Sequence, residues 1–71
     1  MELIMSRHAL EQARERGVSI NEIKETIQKG AKFLQQKKIV AMHRHIKVVF
    51  KKSENKFFVI TVMIRSEKNG K

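Results

Sequence analysis

Three histidines (His8, His43, His45) and five arginines (Arg7, Arg14, Arg16, Arg44, Arg65) are set in a chain with no cysteine, whose seven acids are all glutamate. That inventory suits chemistry on phosphate without a metal. RNA carries its own nucleophile, the 2′-hydroxyl. A protein that cleaves it must take that proton, protonate the leaving 5′-oxygen and stabilise extra negative charge on the phosphoryl group. Histidine exchanges protons near neutral pH. The planar donors of arginine match phosphate oxygens. His8, Gln12 and Arg16 recur at helical spacing and share one stripe.

Each of these residues also has a plain structural reading. His8 can be a solvated histidine in a first helical turn. Arg14 and Arg16 can pair with Glu11 and Glu15, contacts worth little when exposed. Thr61 can be β-branched packing in a strand, and Arg65 a charge at a strand end. His43-Arg44-His45 reads as a basic turn that touches phosphates. The intervening cation disfavours a metal, and no glutamate stands near a histidine at ligand spacing. No glycine-rich phosphate loop, serine elbow or nucleotide fingerprint occurs. The expectation is therefore no metal and no cofactor.

Sixteen Lys and Arg against seven acids leave a net charge of +9 on 71 residues. Such a field concentrates polyanions, and nucleic acid is the first partner to consider. Lys37, Lys38, Lys51 and Lys52, with Arg7, Arg14, His43, Arg44 and His45, are the candidate phosphate contacts. The competing explanation is lysine used for solubility. No apolar run approaches the ~18 residues of a membrane-spanning helix, and the N-terminus lacks the basic start of a signal peptide. A cytoplasmic protein with no membrane partner is expected.

Local signals must position these residues. Ser6 caps a first helix, with Met5 and Leu10 as a staple, and Gly17 is placed to end it in a left-handed conformation. Ser19 and Glu22 make a capping box for a second helix, with Val18 and Ile23 as its staple. Ile20, Ile23 and Ile27 fall on one face, and Gly30 is the matching stop. Four strands follow: residues 31–36, 38–43, 46–52 and 56–65. The last is apolar on both faces and reads as a central strand. Alternation places Phe58, Ile60, Val62 and Ile64 against the helices. Phe57, Val59, Thr61, Met63 and Arg65 then line an open, ligand-facing surface. The expected fold is α+β: a helical hairpin on one face of a three- to four-stranded antiparallel sheet, order ααββββ. Residues 1–65 form the one domain and 66–71 a frayed polar tail.

Ser6, His8-Ala9, Arg16-Gly17-Val18-Ser19, Gly30 and Ile60-Thr61-Val62 make a pattern over nearly the whole chain. It resembles an uncharacterised small-domain family of bacteria and archaea that looks related to the RelE-like and BrnT-like toxins of toxin–antitoxin systems. The resemblance implies a RelE-like fold and a metal-free endoribonuclease, or a derivative that keeps only RNA binding. It places His8, Arg16 and Thr61 at the characteristic polar positions. His8 would then be the acid/base, Arg16 and Arg65 the phosphate clamps, and Thr61 a substrate-positioning hydroxyl. The family often carries an arginine one helical turn after the histidine, where this chain has Gln12. RNA and an acidic antitoxin are the implied partners. The rival readings are a non-catalytic nucleic-acid- or protein-binding module, and a homodimer paired through an edge strand.

Overall fold

A computed structural model describes residues 2–64. The expected 66–71 tail and Arg65 lie outside the described residues. The elements run β1 (Glu2–Met5), α1 (Arg7–Arg16), α2 (Ile20–Lys29), β2 (Ala31–Gln35), β3 (Lys38–His43), β4 (Ile46–Ser53) and β5 (Lys56–Ile64).

Both helices begin as their caps dictate. The Ser6 hydroxyl accepts from the Ala9 N–H at 3.0 Å. Gly17 ends α1 at φ 68°, a left-handed conformation that costs glycine nothing. Ser19 and Glu22 form the full capping box, at 3.1 and 2.8 Å. The hydrogen bond from the Ser19 N–H holds the Glu22 carboxyl below its ordinary range, and the nearby His45 and Arg44 side chains act in the same direction. A lowered carboxylate favours the fold above the ordinary carboxylate range. That contribution fades as pH falls through the lowered value.

Gly30 ends α2 for a different reason. Its φ is −71°, an ordinary extended value. It is needed because a Cβ there would sit 2.4 Å from the Thr26 carbonyl oxygen and 2.6 Å from that of Met42.

The sheet has five strands in the order β1-β5-β4-β3-β2. The expectation of three to four antiparallel strands is corrected: β1 joins β5 in parallel, Leu3 beside Phe57 and Met5 beside Val59. Four residues with no turn beside them carry little strand signal of their own. They pair because β5 offers a free backbone edge there and because Leu3 and Met5 reach the core from it. Strand β5 lies inside the sheet, between β1 and β4, the central place expected of it.

Both helices lie on one face of the sheet. Each packs mainly on strands, α1 on β5 and α2 over β3 and β4. The core between the layers holds Ala9, Ala13, Ile23, Ile27, Ala41, Val48, Phe50, Val59 and Val62, with Leu3, Met5, Ile39 and Phe57 against it. Ile20, expected on the apolar face of α2, and Leu10, expected in the staple with Met5, are exposed.

The alternation assigned to β5 breaks in its middle. Phe50 pairs with Val59 but Val49 pairs with Thr61, so Ile60 is an extra residue, a β-bulge. Before it Phe57 and Val59 point to the helices; after it Val62 does. Phe58, expected in the core, is turned away and exposed, and Ile64 is exposed as well.

Candidate nucleic-acid interface

The sheet face opposite the helices has no second layer among the described residues. Register arranges its side chains in rows. Gln35 of β2 lies beside Lys38 of β3. Lys51 of β4 lies beside Phe58 of β5, and Phe58 beside Ile4 of β1. A second row runs Phe33, Val40, Val49, Thr61, and a third Ala31, Met42, Lys47, Met63. The middle is apolar, Val40 being buried, and Lys38, Lys47 and Lys51 project from the same face. An apolar floor edged by ammonium groups, with Phe33 and Phe58 exposed on it, can hold a phosphate backbone and stack bases.

The candidate residues do not all meet there. Thr61 lies on the open face, as expected, with Lys38 and Lys51. Lys37 sits in the β2–β3 turn beside them, and this turn requires positive φ at Gln36 (50°) and Lys37 (67°). Lys52 points to the other side, its ammonium 5.8 Å from the centre of the Phe57 ring. There it edges a cavity of ≈ 340 Å³ lined by Ile27, Ile39, Phe50 and Phe57. His43 also faces the helix side, opposite Ile46. It is half-buried, and its enclosed Nε2 meets no hydrogen-bond partner. Arg44 and His45 make the exposed β3–β4 turn, at the opposite end of the sheet from Lys37. Lys47 was missed in the sequence. Its signal was the alternation Lys47-Val49-Lys51, which places two lysines on one face of β4.

Arg7, His8, Arg14 and Arg16 are on α1 and exposed. Their placement follows from how α1 seals the edge of β5. Strand β1 stops opposite Val59, so β5 beyond it has no strand on that side. The helix supplies the missing partners. The Ser6 N–H donates to the Val59 carbonyl at 3.1 Å, and the Ser6 hydroxyl to that of Ile60 at 3.3 Å. The Gln12 side-chain Oε1 accepts from the Val62 N–H at 3.0 Å. Gln12 thus fixes its stripe to the β5 edge, and His8 and Arg16 lie one turn to either side along that margin. Arg16 is 3.8 Å from Glu15 and partly exposed.

An arginine at position 12 could not do this, because guanidinium has no acceptor. Gln12→Ala and Gln12→Arg are each expected to cost about 1–3 kcal/mol, the cost of an unpaired amide. Hydrogen exchange at the Val62 amide should speed up in both. Unchanged protection there would show that the bond does no structural work.

A model of one protein family, described as a domain of unknown function (DUF4258), matches residues 5–64. The chain belongs to the DUF4258 family. The match runs from the last residue of β1 to the last of β5, so it takes in both helices and the sheet. No curated protein and no solved structure matches the chain. No helix among the described residues is long and apolar enough to cross a membrane. No cluster of three His or Glu side chains suited to a metal occurs among them either.

Proposed function

We propose that this DUF4258 domain binds RNA through its open sheet face. The observation that carries the reading is the pairing of an uncovered apolar face with Lys38, Lys47 and Lys51 in a chain of net charge +9. Backbone phosphates supply most of the affinity in such binding and make it salt-dependent. Phe33 and Phe58 add ring faces for bases, and Thr61 adds a hydroxyl on the same face. Amide shifts on adding a single-stranded RNA should map to β3, β4 and β5. Shifts confined to α2 would sink the reading.

Cleavage is the second reading, favoured by His8 and Arg16 on the stripe that Gln12 ties to the β5 margin. On it the domain is a relative of the RelE-like and BrnT-like toxins, with His8 as acid/base and an acidic antitoxin as cellular partner. Arg16 then clamps the phosphate and Thr61 positions the substrate. RNA incubated in EDTA should be cut to 2′,3′-cyclic phosphate ends by the wild type and left intact by His8→Ala. Intact RNA in both, with salt-sensitive binding retained in both, leaves the binding function alone.

A further inference from the structure

We propose that two copies of this chain pair antiparallel through β2, joining their sheets edge to edge. This pairing does not rest on the RNA reading, with which it shares Phe33; it rests on the backbone and side chains of residues 31–35.

Strand β2 is one of the two outer strands of the sheet, β1 being the other; all five residues of β2 are exposed, whereas three of the four in β1 are half-buried. Phe33 is 46% exposed and Leu34 75%, and alternation puts them on opposite faces. Edges of this kind are ordinarily guarded by proline, a bulge or an outward lysine. The chain has no proline. The β2–β3 register runs from Ala31 to Gln35 without a shift. Lys32, the strand's one charge, is folded back: its ammonium donates to the Gly30 carbonyl at 3.1 Å and that of Gln28 at 3.4 Å. The edge is unguarded.

The backbone groups are poised for self-pairing. The two-residue turn Gln36-Lys37 is closed by the Gln35–Lys38 pair. In such a hairpin the closing pair is hydrogen-bonded, so Ala31, Phe33 and Gln35 bond to β3. Lys32 and Leu34 therefore turn their N–H and C=O groups outward. A two-fold axis through Phe33 sets Lys32 of one copy opposite Leu34 of the other. Each such pair exchanges two hydrogen bonds. Phe33 meets its counterpart on the open face, and no lysine opposes a lysine. Sliding two residues one way sets Lys32 against Lys32. Sliding the other way sets it against Gln36, where the strand has already turned. The axis stands perpendicular to the sheet, so both open faces end on one side and both helical layers on the other.

Cysteine substitution reads the register directly, because the chain has no other thiol. Phe33→Cys should form a covalent dimer on mild oxidation, since facing residues of a non-hydrogen-bonded pair have the closest side chains. Leu34→Cys should not. In sedimentation the wild type should give twice its 8.3 kDa mass. Leu34→Lys, set against Lys32, should weaken the dimer at least tenfold while its circular dichroism stays native, and Leu34→Glu should leave it dimeric. Because each copy is cationic, the dimer should tighten as salt rises, whereas RNA binding weakens. Failure of one reading is thus separable from failure of the other. A wild type that stays at monomer mass, or equal cross-linking at positions 33 and 34, overturns the proposal.

Discussion

Gly30→Ala is expected to lower the melting temperature by more than about 10 °C, a heavy loss for one added methyl group. The added Cβ would fall 2.4 Å from the Thr26 oxygen and 2.6 Å from the Met42 oxygen. Both are backbone atoms, so no side-chain rotation relieves the clash. Met42 is paired on both sides, with Ala31 and with Lys47. The end of α2 is held by Ile27 in the core and by the Gly30 N–H on the Thr26 carbonyl at 2.9 Å. Helix and strand must therefore part, at a cost of about 3 kcal/mol or more. That is a large share of the roughly 5–15 kcal/mol that holds a small domain together. Gly17→Ala is the control. Its Cβ meets nothing within 4 Å and it carries only the penalty of φ 68°, about 1–2 kcal/mol. Thermal unfolding of both variants separates the two causes, and equal losses would sink the claim that close approach, not conformation, selects glycine at position 30.

The same two glycines show what could be read from the sequence. Capping residues act on their neighbours, so Ser6, Gly17, Ser19 and Glu22 announced both helices. Gly30 marked a boundary, but not its cause, because the conflicting oxygen on Met42 belongs to a strand that only the fold brings near. The four strands after it were legible from β-branched runs and turns. Strand β1 was not, since its partner lies at the other end of the chain. The facing of β5 failed at one residue: alternation is a rule for unbroken ladders, and the Ile60 bulge reverses it. Thr61 and Met63 fell on the open side as expected, while Phe57 and Val59 exchanged roles with Phe58. The basic residues were legible as a charge excess only. Which of them share a face depends on register, and register divides Lys51 from the adjacent Lys52. Gln12 had read as an arginine missing from phosphate chemistry, and the structure gives it a bond to the sheet.

Replacing Lys38, Lys47 and Lys51 together by glutamine is expected to weaken RNA binding on the order of 10²-fold at about 0.1 M salt. The three lysines come from adjacent strands, one from β3 and two from β4, and share the uncovered face. Removing one ammonium that neutralises a phosphate should flatten the dependence of log affinity on log salt by about 0.7 of a unit on a single strand, so the slope should fall by about two. Glutamine keeps the stem that covers the apolar floor, which matters most at the half-buried Lys47 between Met42 and Met63. The variant stays strongly basic, so general attraction survives and only the placed ammonium groups go. Lys24 and Lys29 supply the comparison, being exposed on α2 in the other layer. Lys29 is also within 3.6 Å of Glu25. Their glutamine variants should shift the slope by much less per charge removed. Phe58→Ala adds an arm that charge cannot explain, a loss of about 1–3 kcal/mol if a base stacks on the ring. Fluorescence titrations at several salt concentrations measure all of these at once. If the α2 and open-face lysines prove equivalent per charge, and Phe58→Ala binds like wild type, the attraction is diffuse and the open face is no interface.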